Sequence, residues 1–217
     1  SNFEVLLRLL ETYKTDCKEN IVVTTDYDSK LWHIAQEKQY TVLEIPKKVG
    51  GRFSVFSPVG LFPLGLLGID IEKLLEGAKQ MRSRCLQEDI KVNPAAIAAV
   101  SSFLHFQDQK NIHDLFLFSD DLESIGKWYR QLLAESVGKE HDLKNNQVFT
   151  GMTPTYSIGS TDLHSVAQLY LGGPFDKFTT FVHVKHNKHS VILPDYAEYA
   201  HLVDGIQNKP MTDIMNA

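Results

Sequence analysis

Three short constellations in this sequence carry residue types suited to polar chemistry. The first is Val49-Gly50-Gly51-Arg52. Paired glycines let a backbone approach a ligand closely. The Arg52 guanidinium offers planar donors to a phosphate or a developing oxyanion. The same residues also read as a tight turn with a solvated arginine. The second is Gln131 and Glu135, four apart on one predicted helix and so on one face of it. Glu135 falls near the helix end, before Ser136-Val137-Gly138-Lys139. There the helix dipole disfavours a negative charge, as suits a group that carries a proton. A solvated glutamate in a last turn is the alternative. The third is Ser160-Thr161-Asp162-Leu163-His164-Ser165, which sets His164 in the first turn of a short helix. A helix N-terminus favours neutral imidazole, which can both take and give a proton. A capping segment with an incidental histidine fits as well. His183, His186 and His189 have the count for zinc. On a strand, however, His183 and His186 point to opposite faces, and Lys185 and Lys188 would repel a cation. An exposed strand and turn is the better reading. Neither a Walker nor a dinucleotide phosphate loop occurs, and Ser136, Ser160 and Cys17 lack a nucleophile signature.

The elements that must position these residues follow from periodicity. Phe3, Leu6, Leu7, Leu10 and Tyr13 predict a helix over 2–15. Ile21 to Thr25 reads as a buried strand, Leu31, Ile34 and Ala35 as a helix, and Thr41 to Ile45 as a second strand. An α-β-α-β order implies a parallel sheet with helices on its faces. Ligands of such sheets sit beyond the carboxyl ends of the strands, where Gly50-Gly51-Arg52 falls. Residues 58–69 read as an apolar helix, Asp70 starts another, and Asn93-Pro94 opens a third that runs to about Phe106.

The pattern then restarts. Asp114 to Phe118 is a predicted strand, and Asp120 with Glu123 resembles a capping box. The helix that follows should pack through Ile125, Trp128 and Leu132, away from Gln131 and Glu135. Gly151 to Gly159 is loop-like, and Ser160 or Thr161 should cap a helix running to Tyr170. Phe178 to Val184 reads as a strand with Val191 to Leu193 as its antiparallel partner, and the region after Pro194 is helical or irregular. Two α/β halves, 1–90 and 91–217, are expected.

Composition limits what these halves can be. The chain has 217 residues, 43% hydrophobic and 23% charged, which is globular and excludes disorder for most of it. Two cysteines, Cys17 and Cys85, cannot build a disulfide scaffold and point to a reducing, cytoplasmic setting. A net charge of −5 argues against nucleic acid as a partner. The apolar stretch from Pro58 to Ile69, about 12 residues, is too short for a bilayer, so no membrane partner is expected.

Taken together, the motifs resemble the glucose-6-phosphate isomerase family, in the form of its shorter bacterial members. Val49-Gly50-Gly51-Arg52-Phe53-Ser54-Val55, then an apolar helix and Gly68-Ile69-Asp70, is similar to the family's arginine loop. Gln131 through Glu135-Ser136-Val137-Gly138-Lys139 is similar to its catalytic glutamate segment, and Ser160 to Ser165 with Gln168 to its catalytic histidine segment. All three stand in the family's order.

The resemblance implies α/β architecture: three-layer α-β-α sugar-isomerase (SIS) domains with mostly parallel sheets, the first domain incomplete. It implies aldose–ketose isomerisation of glucose 6-phosphate and fructose 6-phosphate, in glycolysis and gluconeogenesis. Glu135 would carry a proton between C1 and C2 through an enediolate, Arg52 would stabilise the developing charge, and His164 would help open the ring. Gly51 and Gln131 would line the sugar site. No metal or organic cofactor is implied. The partner is a second copy in a homodimer whose active site is shared, the histidine coming from the partner chain. The family's Ser/Thr-rich phosphate loop should precede residues 2–15 and its late lysine should follow Ala217; neither motif is in the sequence. An internal fragment of the enzyme is therefore expected, with little or no turnover by itself. A SIS-type module that binds sugar phosphates or only dimerises is the alternative.

Overall fold

The structure, a computed structural model, describes residues 2–14, 16–186, 191–195, 201–203 and 205–215. The chain divides into two compact units, Ser1–Gln87 and Glu88–Ala217.

The first unit runs α1 (Asn2–Tyr13), β1 (Val22–Asp26), α2 (Lys30–Glu37), β2 (Thr41–Ile45), α3 (Pro58–Leu66) and α4 (Ile71–Cys85), with 3-10 turns at Lys18–Asn20 and Gly51–Phe56. Strands β1 and β2 pair in parallel from Val22 opposite Thr41 to Asp26 opposite Ile45. Helix α2 crosses between them and buries Ala35 completely, and Val23 and Cys17 are buried as well. Side-chain oxygens start each later helix. Ser29 accepts from the Trp32 amide, Ser57 from Val59 and Asp70 from Lys73, which satisfies backbone donors that the first turn leaves without partners.

The second unit runs α5 (Pro94–Gln107), β3 (Ile112–Leu117), a 3-10 turn (Asp120–Leu122), α6 (Glu123–Val137), β4 (Lys139–His141), β5 (Gln147–Thr150), β6 (Thr153–Ile158), α7 (Thr161–Ser165), α8 (Ala167–Gly172), β7 (Lys177–Val182) and α9 (Met211–Met215). Its main sheet has the order β6-β3-β7, parallel throughout. Alternation along β3 sends His113, Leu115 and Leu117 to one face and Asp114 and Phe116 to the other. Helix α6 lies on the first face, where Gly126 meets Tyr156 and Leu117, and α5 reaches the same face through His105 stacked on Phe178. Tyr170 of α8 lies on the second face, near Thr155, Ser157 and Asp114. The expected α-β-α layering with parallel strands is thus present in this unit.

Several expectations need correction. Residues 153–158 are not loop but edge strand β6, and Pro154 is tolerated there because one side of an edge strand needs no ladder hydrogen bond. Val191 to Leu193 do not pair with β7; Ile192 bridges Pro210 instead. The helix expected from Ser160 to Tyr170 is broken at Val166 into α7 and α8. Asp120 and Glu123 form no capping box, because Asp120–Leu122 winds as a 3-10 turn and α6 starts without a side-chain cap. The inward face of α6 is also different: Ile125 and Trp128 are exposed, whereas Gly126 is buried. Lys139–His141 and Gln147–Thr150 form an antiparallel hairpin that periodicity did not indicate.

Candidate functional site

Arg52 is held by a turn with its own internal bonds. Chain leaving β2 turns at Pro46, whose carbonyl accepts from the Val49 amide at 2.8 Å, and then winds as the 3-10 turn Gly51–Phe56. Ser54 Oγ donates to the Gly51 carbonyl at 2.7 Å, and Ser57 Oγ to the Ser54 carbonyl at 2.6 Å. Helix α3 packs hard on this turn, since a Cβ at Gly60 would stand 2.1 Å from the Val55 carbonyl oxygen. The Arg52 guanidinium lies over the Phe53 ring at 4.7 Å. Gly51 is different from Gly60. A Cβ added there meets nothing within 4 Å, and its φ is not in the left-handed range. Neither packing within the chain nor backbone conformation demands glycine at that position.

Gln131 and Glu135 are brought together as their spacing requires. Gln131 Nε2 donates to Glu135 Oε1 at 3.0 Å on the exposed side of α6. Trp128, expected on the opposite side, shares their face at i, i+3 and i+7. The helix closes at Gly138, whose amide donates to the Ala134 carbonyl at 3.2 Å. Glu135 therefore stands in the last turn.

His164 sits on α7, exposed, and its segment is fixed by Asp162. Asp162 Oδ2 accepts from the Ile158 amide at 2.7 Å, and Oδ1 accepts from Ser165 Oγ at 2.7 Å. The carboxylate thus ties the histidine turn to the carboxyl end of β6, while Ser160, expected as a possible cap, stands at the N-cap without a side-chain cap bond. Gly159 is needed just before it, because a Cβ would press on the Phe118 ring at 2.7 Å.

The second unit also holds a buried polar cluster that sequence reasoning missed. Asp114 is fully buried on β3; its Oδ1 accepts from Thr155 Oγ1 at 2.7 Å and from Ser157 Oγ at 3.1 Å. Beside it, His113 bonds to Thr180 through Nε2 and to the Tyr129 hydroxyl through Nδ1. Burial pushes the Tyr129 hydroxyl up to about 12, with the Asp114 charge adding to it, and holds the His113 imidazole below its ordinary value. The available signal was the adjacent His-Asp pair interrupting an apolar strand.

Among the described residues no three His, Cys, Asp or Glu side chains gather to hold a metal ion. His183 stacks on Phe118 at 4.9 Å, and His189 lies outside the described residues. Among them, too, no helix is long and apolar enough to cross a membrane.

The chain is similar to proteins of known name over most of its length. Over 186 residues the chain is 41% identical to the glucose-6-phosphate isomerase of Carboxydothermus hydrogenoformans, a match to 85% of this chain and 40% of that one. It is 38% identical to a probable glucose-6-phosphate isomerase of Methanococcus maripaludis over 94% of this chain and 44% of that one. A crystal structure of a hypothetical protein from Thermus thermophilus superposes with a TM-score of 0.87 at 30% identity, covering 98% of this chain and 50% of that one. The chain thus spans less than half the length of the curated relatives named. The phosphoglucose isomerase family model matches residues 2–190, and by that match the chain belongs to the phosphoglucose isomerase family.

Proposed function

We propose that this chain carries the proton-transfer residues of a glucose-6-phosphate isomerase, interconverting glucose 6-phosphate and fructose 6-phosphate through an enediolate. The observation that carries the reading is the Gln131–Glu135 pair, hydrogen-bonded and solvent-facing on α6, in a chain whose relatives bear that enzyme's name. Moving a proton from C2 to C1 needs one positioned base, and Glu135 takes that role while the Gln131 amide orients its carboxylate. Arg52, pinned at the carboxyl end of β2, stabilises charge developing on the enediolate oxygens. Gly51 leaves its backbone open to the sugar. His164 exchanges the ring proton during opening. No metal or organic cofactor enters this scheme. The enzyme works in the cytoplasm as a homodimer, with His164 serving the partner's site.

The test is a hybrid in which this chain replaces the matching segment of the Carboxydothermus enzyme. The hybrid should isomerise glucose 6-phosphate in a coupled assay, and Glu135→Gln should lower kcat at least about a thousandfold with little change in melting temperature. Near-normal turnover in that variant would refute Glu135 as the base.

A further inference from the structure

The Tyr129–His113–Thr180 chain has no part in the proposed chemistry, yet it joins three elements of the second unit. Tyr129 stands on α6 two residues before Gln131 and six before Glu135. Its hydroxyl meets Nδ1 of His113 on β3, and Nε2 of the same ring lies 2.9 Å from Thr180 Oγ1 on β7. The imidazole is clamped from the side, stacked on Phe178 at 4.2 Å, and Phe178 stacks in turn on His105 of α5 at 4.3 Å. Elsewhere α6 meets the sheet at Gly126, which has no side chain to interlock, and through Arg130 lying over the Tyr156 ring, so the Tyr129 hydroxyl adds a directional bond within two turns of Glu135.

We propose that Tyr129 and His113 form a proton-sensitive latch that seats α6 on the sheet and so positions Gln131 and Glu135. Both are positioning residues, and only that consequence rests on the proposed role of Glu135. In the closed latch the imidazole is neutral, and its two ring nitrogens are shared between the hydroxyls of Tyr129 and Thr180. Lifting α6 withdraws the tyrosine and admits water to the ring. The opened ring takes up a proton at the ordinary histidine value of about 6.5. The closed ring resists protonation because burial is the largest influence on it; the facing His105 of α5 acts in the same direction and the neighbouring Asp114 of β3 opposes both. Tyr129, on the helix side, stays protonated throughout. The open form therefore binds more protons than the closed form between the lowered value and 6.5. Opening is favoured as pH falls through that window and is independent of pH above it.

Amide hydrogen exchange on the 217-residue chain tests this, read for the peptide covering 129–137 and corrected for the intrinsic rate. The opening equilibrium should be flat from pH 8 to 7 and rise up to about tenfold per pH unit below 6.5. Tyr129→Phe should raise opening about fivefold at pH 7.5, the loss of one hydrogen bond. His113→Gln should abolish the pH dependence in this peptide and leave β1 and β2 unchanged. If that variant does not fold, Thr180→Val replaces it, with increased opening and the pH dependence retained. Wild-type protection that ignores pH, or Tyr129→Phe protection equal to wild type, overturns the latch. Neither outcome bears on whether Glu135→Gln removes turnover, so the two readings fail separately.

Discussion

Two glycines show how much a residue's surroundings decide its meaning. Gly126 is buried, and an added methyl group would meet the Tyr156 ring at 2.7 Å and Leu117 at 2.9 Å. Gly51 has open space on its Cβ side and no unusual φ. Sequence alone grouped Gly51 with its neighbours in a turn and could not separate a conformational need from a functional one. The structure removes the conformational need. Gly51→Ala should therefore leave the chain as stable as before, or more stable by about 0.5 kcal/mol, since alanine narrows the unfolded ensemble. If the open side of Gly51 faces substrate, the same change should lower kcat/KM for glucose 6-phosphate at least about tenfold in the hybrid enzyme. Differential scanning calorimetry and the coupled assay together decide it: a destabilised variant with normal turnover would return Gly51 to a structural role.

At the scale of elements, the helices that begin with Asp70 and Asn93 were legible because capping is written in two or three adjacent residues. Strands β1, β2 and β7 were legible from β-branched and aromatic runs. Strand β6 was not, because its pattern is Thr-Pro-Thr-Tyr-Ser-Ile between two glycines, and its hydroxyls turn inward to a buried carboxylate. No local rule announces a polar core. The face of α6 was misread for a related reason. Ile125 and Trp128 are large and apolar yet exposed, whereas the sheet is approached through Gly126 and Tyr129, where smallness and a hydroxyl matter more than hydrophobicity. Gln131 and Glu135 survived that error, because their mutual placement depends only on spacing along one helix. The corrected face predicts the outcome of Gly126→Ala. Helix propensity gains about 1 kcal/mol and overpacking costs about 1–3 kcal/mol. With ring and leucine both in the way, the net should be a loss of about 1–2 kcal/mol, read as a lower urea midpoint at unchanged slope. A midpoint equal to or above wild type would mean that α6 sits on another face.

At the scale of the whole molecule, each unit contains a helix without a single Asp, Glu, Lys or Arg. Helix α3 reads Pro-Val-Gly-Leu-Phe-Pro-Leu-Gly-Leu, and α5 carries Ile97, Val100, Phe103 and Leu104 in addition to its sheet-facing residues. A helix apolar all round belongs in an interior. Yet Val59 and Leu66 of α3 are exposed, and so is the whole stripe of α5, with Phe103 and Leu104 each 58% accessible. The α5 residues recur at i, i+3, i+6 and i+7, so they form one contiguous strip rather than scattered positions. Contiguous apolar patches of this kind are rarely left in water and promote association. A net charge of −5 on 217 residues supplies only modest repulsion against it. The 217-residue chain should therefore associate as its concentration rises. Sedimentation velocity from micromolar to hundreds of micromolar should give a weight-average mass climbing above the 24.6 kDa of one chain. Ile97→Lys with Leu104→Lys places two charges one heptad apart on the strip and away from the sheet, so it should suppress the climb without lowering the urea midpoint. The matching pair on α1, Val5→Lys with Leu9→Lys, separates the α5 strip from general surface hydrophobicity, because both its residues are also exposed. If the α1 pair suppresses association and the α5 pair does not, the strip on α5 is not the contact. If the wild-type chain stays at 24.6 kDa throughout, these apolar faces are tolerated in water.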